Sequence, residues 1–184
     1  MEVRNVSPGK PKVTGAIFRA ALGTALPTDA TSQLAAEYQE LGFVSDDGVA
    51  NNNNPETEDV YAWGGTQVMK SITEKPDEWT FKLIEALNPN VLKTVYGDAN
   101  VTVSEDEKTI TVKATAGDLG SSTYVIDMQL KGGALKRVVI PNGALGEIGE
   151  ILYKDEEPIG YEITIAALDD GSGTTHYEYI KLSA

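Results

Sequence analysis

The chain has 184 residues, with no cysteine, one histidine and a formal net charge of −13 from 28 acidic and 15 basic side chains. That inventory excludes disulfide staples, thiol catalysis, iron–sulfur clusters and cysteine-based zinc sites. An acidic pI near 4.4 argues against gripping nucleic acid through clustered Lys and Arg, while 41% hydrophobic residues suffice for a globular core.

Met1-Glu2-Val3-Arg4-Asn5 leads into Pro and Lys, so no secretory signal is read there, and the apolar stretch Gly15 to Leu26 is too short for a membrane span. Residues 1–32 are rich in Pro, Gly, Ala and Thr without helical or period-2 patterning. They read either as an arm that finds its partners on a neighbour or as an unanchored terminus. Residues 35–45 form a first extended segment. Residues 46–59, with Asp46-Asp47-Gly48 and Asn51 to Pro55, crowd together turn formers and predict a long exposed loop or hairpin tip.

Residues 67–75 then precede a Pro76-Asp77 turn, and in Trp79-Thr80-Phe81-Lys82-Leu83 apolar residues alternate with polar ones, placing one face inward. A single helix is predicted over about 89–96, capped by Asn88, started by Pro89 and stopped at Gly97. Hairpins follow at 101–114 and 124–140, the second turning at Gly132-Gly133. Residues 148–153, 161–168 and 174–182 complete roughly nine strands, the pattern of a mainly β, antiparallel sandwich or barrel.

Chemistry is sparse. His176 stands alone in an alternating strand pattern and reads as a strand-surface histidine, since neither a triad nor a multi-histidine metal site can be built from it. Asp46-Asp47-Gly48 and Asp169-Asp170-Gly171 resemble pieces of calcium loops but lack the spaced acids and closing Glu, so they read as turns. Glu56, Glu58, Asp59, Glu105, Asp106 and Glu107 sit in turn-like segments without aromatic sugar platforms nearby, which favours a solvated face over a carboxylate pair. Trp79 is assigned to the core, and Trp63 before Gly64-Gly65 to a bulge or a close backbone approach. No cofactor or metal site is read, and no enzymatic activity.

Leu41-Gly42-Phe43-Val44-Ser45-Asp46-Asp47-Gly48-Val49, Asn54-Pro55-Glu56-Thr57-Glu58 and Ala62-Trp63-Gly64-Gly65 follow one another in a distinctive order. With Phe81 to Asn88, Val91 to Gly97, Gly15 to Ala20 and Leu26 to Ala30, they resemble the major tail proteins of long, non-contractile-tailed bacteriophages. The resemblance implies a tail-tube β-sandwich with one flanking helix, hexameric rings and rings stacked into a hollow tube. It places the protein in the virion tail, after synthesis in the host cytoplasm. Its partners would be further copies of itself, a tape-measure protein and tail-end proteins. Duplex DNA would pass through without specific binding, and no membrane would be involved.

The expected organisation is an arm over 1–32 and one β-sandwich domain over 33–184. The immunoglobulin-like C-terminal decoration common in the family is expected to be absent. Contacts between subunits or rings are expected at Ile17, Phe18, Arg19, Leu26, Asp46, Asp47, Asn53, Asn54, Glu56, Glu58 and Trp63. The rival readings are a monomeric carbohydrate-binding or adhesin-like sandwich and a small hydrolase using paired carboxylates.

Overall fold

The computed structural model describes residues 2, 6–12 and 16–183. Its elements begin with β1 (Lys10–Pro11), β2 (Ile17–Ala21), β3 (Gln39–Glu40), β4 (Val44–Asn52), β5 (Glu56–Tyr61), β6 (Gln67–Glu74) and β7 (Glu78–Leu83). Helix α1 (Pro89–Tyr96) is followed by β8 (Val101–Val103), β9 (Ile110–Val112), β10 (Ser121–Gln129), β11 (Leu135–Ile148), β12 (Tyr161–Ala167) and β13 (Tyr177–Lys181). Nine strands build one sheet in the order β3-β2-β10-β11-β12-β7-β4, with β1 added beside β10 and β13 beside β11. All pairings in it are antiparallel.

The sheet's two ends are parts of one run of chain, residues 39–52. Leu41 N–H donates to Ile17 O at 2.9 Å, and Phe43 O accepts from Ile84 N–H at 3.1 Å, so this run bridges from β2 to β7. The sheet therefore curls upon itself into a sandwich of barrel form. Closure of this kind satisfies backbone groups that an open sheet would leave bare.

Alternation fills the interior. Trp79, Phe81 and Leu83 of β7 meet Ile163, Ile165 and Tyr161 of β12, together with Tyr124, Ile126, Val138 and Ile140 from β10 and β11. Burying each side chain of this size stabilises the fold by about 1.5–3 kcal/mol. Helix α1 closes this core with Val91, Leu92 and Val95. Asn88 accepts from Asn90 N–H at 2.9 Å, and Gly97, at φ +95°, ends the helix while its N–H donates to Lys93 O. The predicted helix is thus found with its predicted caps.

A second, smaller core lies on the other face, where Val125, Val139, Ala20 and Tyr38 meet Phe18, Tyr177 and Tyr179. On the same face Arg137, only 1% exposed, forms a bidentate pair with Asp127 at 2.6 and 2.8 Å. Its remaining nitrogen donates to Asp29 O at 3.0 Å and Ser32 O at 2.9 Å. One guanidinium therefore pins residues 29–32 to the sheet.

These contacts correct the expected arm over 1–32. Ile17–Ala21 is an inner strand of the sheet, and Ile17 is 0% exposed. Residues 1, 3–5 and 13–15 of the expected arm lie outside the described residues, as does Ala184. The expected strand over 148–153 stops at Ile148, because beyond Gly149 N–H, which donates to Glu162 O, no ladder partner continues it. The expected 35–45 strand is likewise reduced to Gln39–Glu40 and the start of β4.

Candidate assembly surface

The predicted loop over 46–59 is mostly strand. β4 runs to Asn52, a short turn follows, and β5 pairs with β6 in a hairpin that makes its own two-stranded sheet. Its tip is at residues 62–66, where Gly64 and Gly65 have φ of +106° and +86° and Ala62 N–H donates to Thr66 O at 2.8 Å. Glycine is required there because both residues sit at positive φ.

The hairpin exposes Val60, Tyr61, Trp63, Val68, Met69 and Ile72, and Trp63 is 106% exposed. The pairing register sets Val60 beside Met69 on one face. On the other, Asp59 accepts from Gln67 at 2.7 Å and lies 4.0 Å from Lys70. Isolated two-stranded hairpins are marginal in water, and a cluster of bare apolar side chains marks a surface made to be covered.

At the hairpin's root sits a buried carboxylate that the sequence did not single out. Asp77 Oδ1 accepts from Asn51 Nδ2 at 2.8 Å and Trp79 Nε1 at 3.1 Å. Asp77 Oδ2 accepts from Thr175 Oγ1 at 2.6 Å and His176 Nδ1 at 2.5 Å. β4, β7 and the chain entering β13 are thus tied together where the hairpin leaves the domain. His176, expected on a strand surface, is instead half-buried just before β13, its ring edge-on to Trp79.

Burial pushes the Asp77 carboxyl up, but the hydrogen bonds from Thr175, His176 and Asn51 outweigh it and hold its pKa below the usual value. The depressed folded value makes this contribution complete above the unfolded pKa of about 4, and acid removes it as pH falls through the folded value. Wild type should therefore exceed Asp77→Asn in stability most at pH 7, the gap narrowing below about pH 4. Denaturant titrations across that range check this; a gap independent of pH would contradict it.

Free strand edges form the second part of the surface. Among the described residues β4 pairs with β7 and β13 with β11, and no strand is paired along the other side of either, so the closure through residues 39–43 leaves these two edges open. Such edges are templates for another strand.

The contact candidates fall into two groups. Asp46, Asp47, Asn54, Glu56, Glu58 and Trp63 are exposed on β4, the hairpin or the turn between them, with Asn53 partly covered in that turn. Leu26 is 38% exposed elsewhere. Ile17 lies in the main core and Phe18 packs on the second, so β2 keeps them inside its own chain. Arg19 is held by Asp98 at 2.7 and 3.1 Å and by Ser122 at 2.9 Å. Sequence reasoning missed Val60, Val68, Met69 and Ile72; their spacing within a strand of otherwise polar residues was the available signal.

Asp169 and Asp170 act as turn residues: Asp169 Oδ1 accepts from Gly171 and Gly173 N–H, and Asp170 accepts from Ser172 N–H and Tyr177 Oη. Among the described residues no group of three or more His, Cys, Asp or Glu could hold a metal ion, and no helix is long and apolar enough to cross a membrane.

No curated protein matches the chain. Against protein families it matches the one described as phage tail tube protein, over residues 12–183. The match takes in both the closed sheet and the projecting hairpin, and on it the chain belongs to the phage tail tube protein family, a structural component of the virion tail.

Proposed function

We propose that this protein builds its tube by self-association, copies closing into hexameric rings and rings stacking into a hollow conduit for DNA. The observation that carries this reading is the β5–β6 hairpin, an arm with bare apolar side chains and no core of its own. The open edges of β4 and β13 support ring closure, because identical copies arranged in a circle can complete one another's ladders.

A formal charge of −13 per copy suits such a conduit. Duplex DNA carries about one negative charge per 1.7 Å of axis, so a basic bore would retain it through counterion release. Repulsion from carboxylates, screened over roughly 8 Å at physiological salt, keeps DNA mobile within the bore. The tape-measure and tail-end proteins would meet the ends of the stack.

Limited proteolysis tests the assembly. In the free subunit trypsin should cut after Lys70, an exposed residue of β6, well before the core strands are touched. In assembled material the same bond should be spared at least about tenfold, since cleavage follows the population of open, uncovered chain. Equal cutting in both states would contradict the reading.

A further inference from the structure

The hairpin leaves the domain through two short legs, residues 53–55 and 75–77, and each leg holds a proline, Pro55 and Pro76. Proline has no N–H to donate, so the β4–β7 ladder, whose last pair is Asn52–Glu78, does not run on into β5 and β6. Beyond the legs, β5 and β6 pack chiefly on each other. Both strands therefore break their pairing at one level, which is the construction of a hinge. In the same place Asn53 Oδ1 is buried without a hydrogen-bond partner among the described residues, so the root is not fully paired as it stands.

Asp77 spans this break. Its backbone is anchored to the domain, with Ala167 N–H donating to Asp77 O at 2.8 Å. Its side chain is 4% exposed, and both carboxylate oxygens are filled. Oδ1 takes Asn51 of β4 and Trp79 of β7, the two strands at the root. Oδ2 takes Thr175 and His176, the residues that lead into β13. Hydrogen bonds to an ionised acceptor are short, strong and directional, and four of them leave a buried carboxylate little freedom to turn. The strand that this side chain reaches, β13, is one of the two with an open edge.

We propose that Asp77 is the latch of this hinge, fixing the direction of the hairpin against the open edge of β13 so that the two assembly surfaces move as one body; this rests on the tube reading above. Asp77 is a positioning residue, since it is buried inside its own chain and touches no partner itself. The six residues of β5 make a lever of roughly 20 Å, so a turn of about 20° at the root swings the tip by roughly 7 Å. A displacement of that size takes the tip out of register with a neighbour whose β13 edge is already paired. With the latch closed every subunit is competent for both contacts; with it open only the fraction of hairpins that point the right way counts towards binding.

The absence of cysteine allows the hinge angle to be measured directly. Nitroxide labels on Thr66→Cys, at the hairpin tip, and Ile180→Cys, an exposed position of β13, report the distance between the two surfaces in the free subunit. A single narrow distance distribution is expected for the otherwise wild-type chain. Asp77→Asn, which keeps the shape but replaces one accepting oxygen by a donor, should at least double its width. Thr175→Val removes one bond only and should broaden it by a smaller amount. Val95→Ala, a core truncation on α1, weakens the fold while keeping all four donors to Asp77, and should leave the distribution narrow. The concentration at which tubes begin to form should rise about tenfold for Asp77→Asn, with normal tubes once it is exceeded.

A distribution as narrow in Asp77→Asn as in the unsubstituted chain, or one that Val95→Ala broadens equally, overturns the latch and leaves the tube reading standing. A broadened distribution with an unchanged onset overturns the link between hairpin direction and assembly. A wild-type chain that does not assemble at all overturns the tube reading, while the distances in the free subunit still decide the latch.

Discussion

Replacing residues 56–74 by a two-residue Asn-Gly turn between Pro55 and Lys75 should leave a folded subunit that no longer assembles. The graft is geometrically mild, because Asn52 and Glu78 are already cross-strand partners and Asn51 and Asp77 stay in place. No residue of the buried core lies within the deleted stretch. A shorter connection lowers the closure entropy only slightly, so stability should change by less than about 1 kcal/mol. Assembly should fail entirely, since the excised arm carries the apolar side chains that have no cover in the free chain. Circular dichroism melts and sedimentation measure the two halves of this result. Tubes built from the truncated chain would show that the hairpin is dispensable.

Arg137→Ala should produce the largest loss of stability of any single change considered. The substitution strands the Asp127 carboxylate, 4% exposed, with Lys12 at 3.5 Å as its remaining cationic neighbour. Removing one partner of a buried ion pair costs about 3–5 kcal/mol, because the other charge stays desolvated. For a chain of this length that lowers the melting temperature by roughly 10 °C. Residues 29–32 should also exchange amide hydrogens faster, since their carbonyls lose the guanidinium. Asp127→Leu with Arg137→Met should recover part of the stability by removing both charges, yet leave residues 29–32 loosened. A loss below 1 kcal/mol for Arg137→Ala would mean that the pair contributes little.

The elements that were legible in the sequence are those with one wet face. In β7 and β12, Trp79, Phe81, Leu83, Ile163 and Ile165 point inward between polar neighbours, and this alternation is the signal that period-2 reading detects. The helix announced itself through Asn88, Pro89 and Gly97, whose roles depend on local backbone chemistry alone. β2 was illegible for the opposite reason. Ile17 faces the main core, Phe18 and Ala20 face the second, and Arg19 is neutralised by Asp98, so no alternation remains to be read.

The hairpin was hidden differently. β5 opens on four polar residues, Glu56 to Asp59, and its strand character comes from pairing with β6, not from burial. Asn51 and Asn52 in β4 gave the same loop-like signal, although their backbone pairs with β7, while Asp46 and Asp47 sit where the register of that pairing shifts. Asp77 was read only as a turn residue beside Pro76. Its role as a junction depends on Asn51 and His176, which the fold alone brings together.

The most direct measurement is electron microscopy of the purified chain at rising concentration. Hollow tubes of uniform diameter, built from stacked rings, are the predicted result. Single subunits persisting at every concentration, with the hairpin as readily cut by trypsin as in dilute solution, would contradict self-assembly as the basis of the protein's role.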